Sequence, residues 1–223
     1  MNKNIVIIGQ NEFLDMPRML ESLKTLFPAD KRIWVLDRST DFSKQFLNAM
    51  QEEVVCTPSE WEGRKVSSAR NLGLSYCDAD SDVMFLDGDR YIVSGYDDFN
   101  TYDKDILLFK VERDERDDPR WFVDYQDIYG KIHNGFYSCG LFMKREAINK
   151  VIDYQGELFS TDIEQYWGVE DVHLGDVCYS LGLTCDFNRR IRLHGNFDNS
   201  KKIPQEAWKV RIRKRLELDN VKW

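Results

Sequence analysis

The chain has 223 residues, of which 42% are hydrophobic and 13% aromatic, enough to bury a sizeable core and to exclude a disordered or low-complexity protein. Its formal net charge of −8 argues against a surface built for indiscriminate polyanion binding. Five cysteines, Cys56, Cys77, Cys139, Cys178 and Cys185, show no Cys-x-x-Cys spacing and read as buried thiols, not as a disulfide framework or a zinc site.

Residues 1–4 lead straight into Ile5-Val6-Ile7-Ile8, an apolar run too short for a signal-peptide core or a membrane span. The expectation is a cytoplasmic protein with no transmembrane segment. Residues 4–9 predict a fully apolar strand, followed by the polar turn Gln10-Asn11-Glu12. Met16, Met19, Leu20, Leu23, Leu26 and Phe27 recur at helical spacing, and Pro28 closes that helix. Residues 33–36 form a second strand, ended by Asp37-Arg38-Ser39-Thr40-Asp41, and residues 42–50 the next helix. A third strand over 54–56 and a helix over 65–76 follow.

Val83-Met84-Phe85-Leu86 is a buried strand that ends in Asp87-Gly88-Asp89. Residues two apart on a strand point the same way, so Asp87 and Asp89 share a side and suit a hard divalent cation. Asp-Gly-Asp is equally ordinary turn chemistry, and by itself the motif leaves both readings open. Strands alternating with helices at this rhythm imply a parallel sheet covered on both faces, with ligands at the carboxyl ends of the strands.

After Tyr91 the pattern changes. Residues 106–111, 121–129 and 135–143 predict strands, with a solvated hairpin tip at 113–120, and residues 144–152 predict a helix. Residues 156–167 read as an irregular loop over the site. Gly168-Val169-Glu170-Asp171 opens a helix that buries Leu174, Val177, Cys178 and Leu181 and ends at Gly182. Its two acids have a plain alternative role in complementing the helix dipole. Short strands over 184–187 and 191–194 follow, and Trp208, Ile212 and Leu216 mark a final helix. From residue 201 onward there are eight Lys or Arg against three Asp or Glu, so this segment is electrostatically separate.

Gln10-Asn11-Glu12, VLDRSTD at 35–41, SSARNLGL at 67–74, FLDGD at 85–89 and GVEDVHLGDVCYSLGL at 168–183 stand in one order. Together they resemble the family 2 glycosyltransferases of the GT-A type, whose corresponding places read as a YNE-like turn, VDDGSTD, ARNxG, DxD and a late ED. The resemblance covers residues 4–195. It implies an α/β fold: a GT-A, Rossmann-like single domain with a mostly parallel central sheet and helices on both faces. That domain spans 1–200, with a nucleotide-binding half at 1–95 and an acceptor-binding half at 96–200, before a basic carboxyl-terminal helix at 201–223.

The resemblance also implies a metal-dependent transfer of one sugar from a nucleotide-sugar donor, UDP-linked, with inversion at the anomeric carbon. Asp37 would accept a hydrogen bond from the nucleobase, with Gln10 and Asn11 beside it. Arg70 would contact base or phosphate, or else be an exposed helix arginine. Asp89 would ligate Mn²⁺ or Mg²⁺ directly, Asp87 would reach ribose or metal through water, and His194 would supply a third ligand. His133 and His173 have no comparable setting. Asp171 would be the general base, Glu170 would position the acceptor, and Trp167 would stack on a sugar or pack in the core.

Leu36 stands where the family pattern has its first Asp, and no Gln-x-x-Arg-Trp motif of processive members is present. The acceptor stays open among a glycan, a lipid-linked glycan and a hydroxylated nucleic-acid base. The basic final helix could meet an anionic membrane or nucleic acid, or present a solvated face over the sheet edge. Two other functions remain as alternatives: a sugar nucleotidyltransferase of related fold, which the lone Gly9 and the lack of a nearby basic residue before Arg18 disfavour, and a non-catalytic binding module.

Overall fold

Strand β1 (Lys3–Gly9) is buried along nearly its whole length, as expected for a strand covered on both faces. The computed structural model describes residues 3–63, 65–94, 102–112, 125–126, 132–133, 140–165 and 170–195. In chain order the elements are β1, α1 (Met16–Leu26), β2 (Lys31–Leu36), α2 (Ser43–Ala49), β3 (Glu53–Cys56), α3 (Val66–Ser75), β4 (Asp82–Asp87) and β5 (Arg90–Ser94). There follow β6 (Ile106–Glu112), β7 (Tyr125–Gln126), β8 (Ile132–His133), β9 (Gly140–Met143), α4 (Arg145–Gln155), α5 (Glu170–Ser180) and β10 (Cys185–Gly195).

Eight strands make one sheet in the order β3-β2-β1-β4-β9-β6-β10-β5, and β7 and β8 pair separately. The strands β3, β2, β1 and β4 along one side of the sheet are all parallel. Beyond them β9 runs antiparallel to β4 and β6, β10 runs parallel to β6, and β5 closes the edge antiparallel to β10. This is the α/β fold with a mixed, mostly parallel sheet that the motif order implied.

Alternation along the strands divides the core. Val6, Val35, Val83, Phe85, Leu108 and Leu141 face α3, α4 and α5, together with Leu158 and Phe159. Ile5, Ile7, Trp34, Met84, Leu86, Phe109 and Phe142 face α1 and Leu47 of α2. Helix α5 is buried almost all round, including Glu170, His173 and Asp176, so a one-sided apolar stripe is not what holds it. Gly182, at φ +68°, follows it in the left-handed conformation that ends helices.

Gly73 sets how closely α3 approaches the sheet. A Cβ there would overlap Val6 Cγ1 and lie 2.9 Å from Val35 Cγ2. Gly73→Ala is therefore expected to lower stability by about 1–2 kcal/mol, overpacking outweighing Ala's better helix propensity, as read by urea or thermal unfolding.

Two expectations change, and one strand has no counterpart among them. Residues 90–94 form an edge strand, which the Asp-Gly-Asp motif running directly into it obscured. Residues 185–195 are one strand, not two; its register against β6 shifts between Asn188 and Arg192, and the polar run there mimicked a break. Cys56 is exposed rather than buried, because it sits at the outer end of edge strand β3. The expected strands at 121–129 and 135–143 fall only partly within the described residues, and the final helix lies outside them.

Candidate active site

The carboxyl end of β1 anchors two turns at once. The Asp37 N–H donates to Gly9 O at 2.8 Å, and the Gly88 N–H donates to Ile8 O at 2.7 Å. The turns after β2 and β4 thus flank β1 where the winding of the sheet reverses, which is where ligands of such sheets bind.

On the β2 side, Asp37 is held hard. Arg38 Nε and Nη2 donate to its two oxygens at 2.8 and 2.9 Å, and Thr57 Oγ1 donates to Oδ1 at 3.0 Å. Arg38 itself has φ +49° at the place that reads Gly in the VDDGSTD pattern, and it donates onward to Trp61 O and Gly63 O. One lone pair of Asp37 Oδ2 is left to accept a hydrogen bond. Asn11 is a strut between turns: its N–H donates to Ser39 Oγ, and its Oδ1 accepts from the Thr40 and Asp41 N–H groups at 2.7 and 3.3 Å. Gln10 is exposed at the rim.

On the β4 side, the carboxylates of Asp87, Asp89 and Glu12 gather near Arg70 and Arg90. Asp87 accepts from Arg70 Nη2 at 3.0 Å, and Asp89 pairs with Arg90 at 2.7 Å. Burial, with Arg90 opposing and Asp87 and Asp15 adding, raises the Asp89 carboxyl to about 6. Glu12 reaches the same place from the turn after β1. Its Oε2 is buried without a hydrogen-bond partner, and Cβ atoms added at Gly9 or Gly88 would collide with it. Burial, then Asp89 and Asp87, push Glu12 up to about 9. Nothing in the Gln10-Asn11-Glu12 motif distinguished this residue from its solvated neighbours; the two glycines that make room for it were the available signal.

This surplus of carboxylate oxygen fits a hard divalent cation, which typically takes one or two carboxylates plus substrate phosphates. Among the described residues no group of three or more His, Cys, Asp or Glu is placed to hold an ion by itself. The side chain of His194 and the whole of Trp167 lie outside the described residues. The His194 backbone stands in β10 opposite Tyr91 of β5.

Arg70 joins the two motifs. It is 3% exposed, which excludes the exposed-helix reading. Besides Asp87, it pairs with Asp171 at 3.3 Å and lies 3.9 Å from Glu170. Burial opposes its charge, but Asp171, Asp87 and Glu170 outweigh that and raise its pKa. Its guanidinium carbon sits 5.3 Å from the Phe159 ring centroid, and Phe159 packs edge-on to Phe85. Asn71 fixes Phe159 by accepting from its N–H and donating to its carbonyl. Glu164, 3% exposed, accepts from Lys65 and from the Ser68 N–H and hydroxyl, capping α3 from residues 156–165. Sequence spacing gave no hint of Phe159 or Glu164.

Residues 4–152 match the glycosyl transferase family 2 description. The chain belongs to glycosyl transferase family 2. Among solved structures it resembles Staphylococcus aureus TarS 1–349 in complex with UDP, at TM-score 0.70 and 15% identity, covering 98% of this chain and 65% of that one. It also resembles Mycobacterium tuberculosis glucosyl-3-phosphoglycerate synthase in complex with UDP, at TM-score 0.61 and 16% identity, covering 97% and 80%. The mannosyltransferase PcManGT of Pyrobaculum calidifontis, in complex with GDP-Man and Mn²⁺, gives TM-score 0.61 and 16% identity, covering 96% and 61%. This family 2 chain therefore has the GT-A fold, and it spans less than two thirds of the TarS structures. No curated protein matches it. Among the described residues no helix is long and apolar enough to cross a membrane.

Proposed function

We propose that this chain transfers a single sugar from a UDP-linked donor to an acceptor hydroxyl, with inversion. The observation that carries the reading is the meeting of Asp87, at the end of β4, and Asp171, in the first turn of α5, on one buried arginine in a family 2 fold. Support for the nucleotide comes from the similar structures that hold UDP; the one holding GDP-Man makes the base a point to test.

In this reading Asp37 accepts an N–H from the base through its remaining lone pair, with Gln10 and Asn11 forming the adjacent rim. Asp87 faces the ribose and the diphosphate, and Arg70 acts on the donor side through it. Asp89, with Asp87 and His194, would hold Mn²⁺ or Mg²⁺, which neutralises charge on the departing diphosphate. Asp171 takes the proton of the acceptor hydroxyl, Glu170 backs it from the buried side, and Trp167 offers a stacking face for a sugar.

Calorimetric titration of UDP, GDP, CDP, TDP and ADP, each with and without Mn²⁺, tests this. UDP is expected to bind tightest and at least tenfold more tightly with Mn²⁺. Failure of every nucleoside diphosphate to bind in a metal-dependent way overturns the reading.

A further inference from the structure

We propose that Arg70 is a positioning residue: it clamps Asp171 of α5 to Asp87 of β4 and serves the reaction through those carboxylates, without touching the donor. This rests on the functional reading above. At 3% exposure the guanidinium offers a ligand almost no surface. Nη2 is committed to Asp87 and Nη1 to Asp171, while Nε is buried with no partner. A donor phosphate could reach it only by displacing Asp87 or Asp171.

The guanidinium plane is also fixed from outside. Phe159 lies against it, braced by Phe85 and by its two backbone hydrogen bonds with the Asn71 side chain, one accepted and one donated. Residues 156–165 are in turn fastened to α3 by Glu164 on Lys65 and Ser68. The packing that seats these residues beside α3 is thereby the packing that orients Arg70. A planar fork can serve carboxylates on two elements at once, whereas a lysine ammonium has a single charged centre. The donor-side carboxylate and the base-side carboxylate, from segments 84 positions apart in the chain, then keep one separation.

Arg70→Lys in the full chain separates positioning from donor contact. UDP affinity with Mn²⁺, read by calorimetry, is expected to stay within about threefold, while UDP-sugar hydrolysis per bound donor falls at least about 30-fold. In an Asp171→Asn background the same substitution is expected to lower the residual rate by no more than about threefold, since the base half of the clamp is gone and only its hold on Asp87 remains to be lost. A tenfold loss of UDP affinity with hydrolysis per bound donor retained overturns the proposal, as does no effect on either.

Backbone amide exchange over residues 170–173 reads the clamp with no donor present. Arg70→Lys is expected to speed exchange there about tenfold relative to α2; unchanged exchange overturns the proposal. A wild-type chain that binds no nucleotide counts against the functional reading, and the exchange measurement then still decides whether Arg70 is the clamp.

Discussion

Asp171→Asn is expected to lower sugar transfer and donor hydrolysis by about 10²–10⁴-fold, while UDP affinity stays within a few-fold. The size follows from the proposed role, since the variant would lose the proton acceptor in a step where an alcohol must become a nucleophile. The selectivity follows from placement. Asp171 opens α5 on the far side of Arg70 from Asp87, and its side chain keeps 15% exposure, so it borders the site without belonging to the nucleotide rim. Stability is expected to hold, because Asn keeps the shape and Arg70 retains Asp87 and Glu170 as partners. Initial rates paired with calorimetry check both halves. Turnover at the wild-type rate removes Asp171 as the base.

Much of this site follows from local sequence rules. Short apolar runs over 5–8, 33–36 and 83–86, alternating with segments of helical spacing, read as strands buried on both faces, and a parallel sheet brings their terminal turns to one rim. That alone brings Asp37 and Asp87 to the same rim. The contribution of α5 is less direct, since Glu170 and Asp171 read equally well as dipole-complementing residues in a first turn. Their pairing with Arg70 spans 101 positions and depends on Phe159, which no periodicity marks. Glu12 shows the opposite failure. A glutamate in a polar turn is normally solvated, and this one is buried because Gly9 and Gly88 leave room for its carboxyl on bare backbone. Side chains that are absent therefore decide its environment, a signal that the residue itself does not carry. For Arg38, a non-glycine residue at φ +49° is held by its neighbour Asp37 and by two carbonyls, of Trp61 and Gly63, that only the folded 57–63 turn supplies.

That glutamate carries the second large effect, a dependence of stability on pH whose sign opposes the usual carboxylate case. Glu12 rises from 4.5 to about 9 on folding, and Asp89 rises from 3.8 to about 6. The folded state then holds protons that the unfolded chain has released. The stability associated with these groups is complete below their unfolded values and is lost as pH climbs through the folded ones. In metal-free protein the Glu12 contribution therefore declines between pH 4.5 and about 9, by up to about 1.4 kcal/mol per pH unit. The Asp89 contribution declines over the lower window, from 3.8 to about 6. Urea unfolding across pH 5–9 with a chelator present reads the slope, and Glu12→Gln is expected to flatten it. A wild-type slope equal to that of the variant sinks the assignment.

In the proposed reading a divalent cation competes with the Asp89 proton for the same oxygens, with the Glu12 carboxyl directly beside them. Mn²⁺ binding is accordingly expected to release protons, to tighten as pH rises through neutrality, and to restore the stability lost by the metal-free protein. Calorimetry in two buffers of different ionisation enthalpy counts those protons directly. The count is expected to fall in Glu12→Gln if Glu12 gives up its proton as the ion arrives. An unchanged count would assign the release to Asp89 alone and leave Glu12 as a neutral wedge between the turns after β1 and β4.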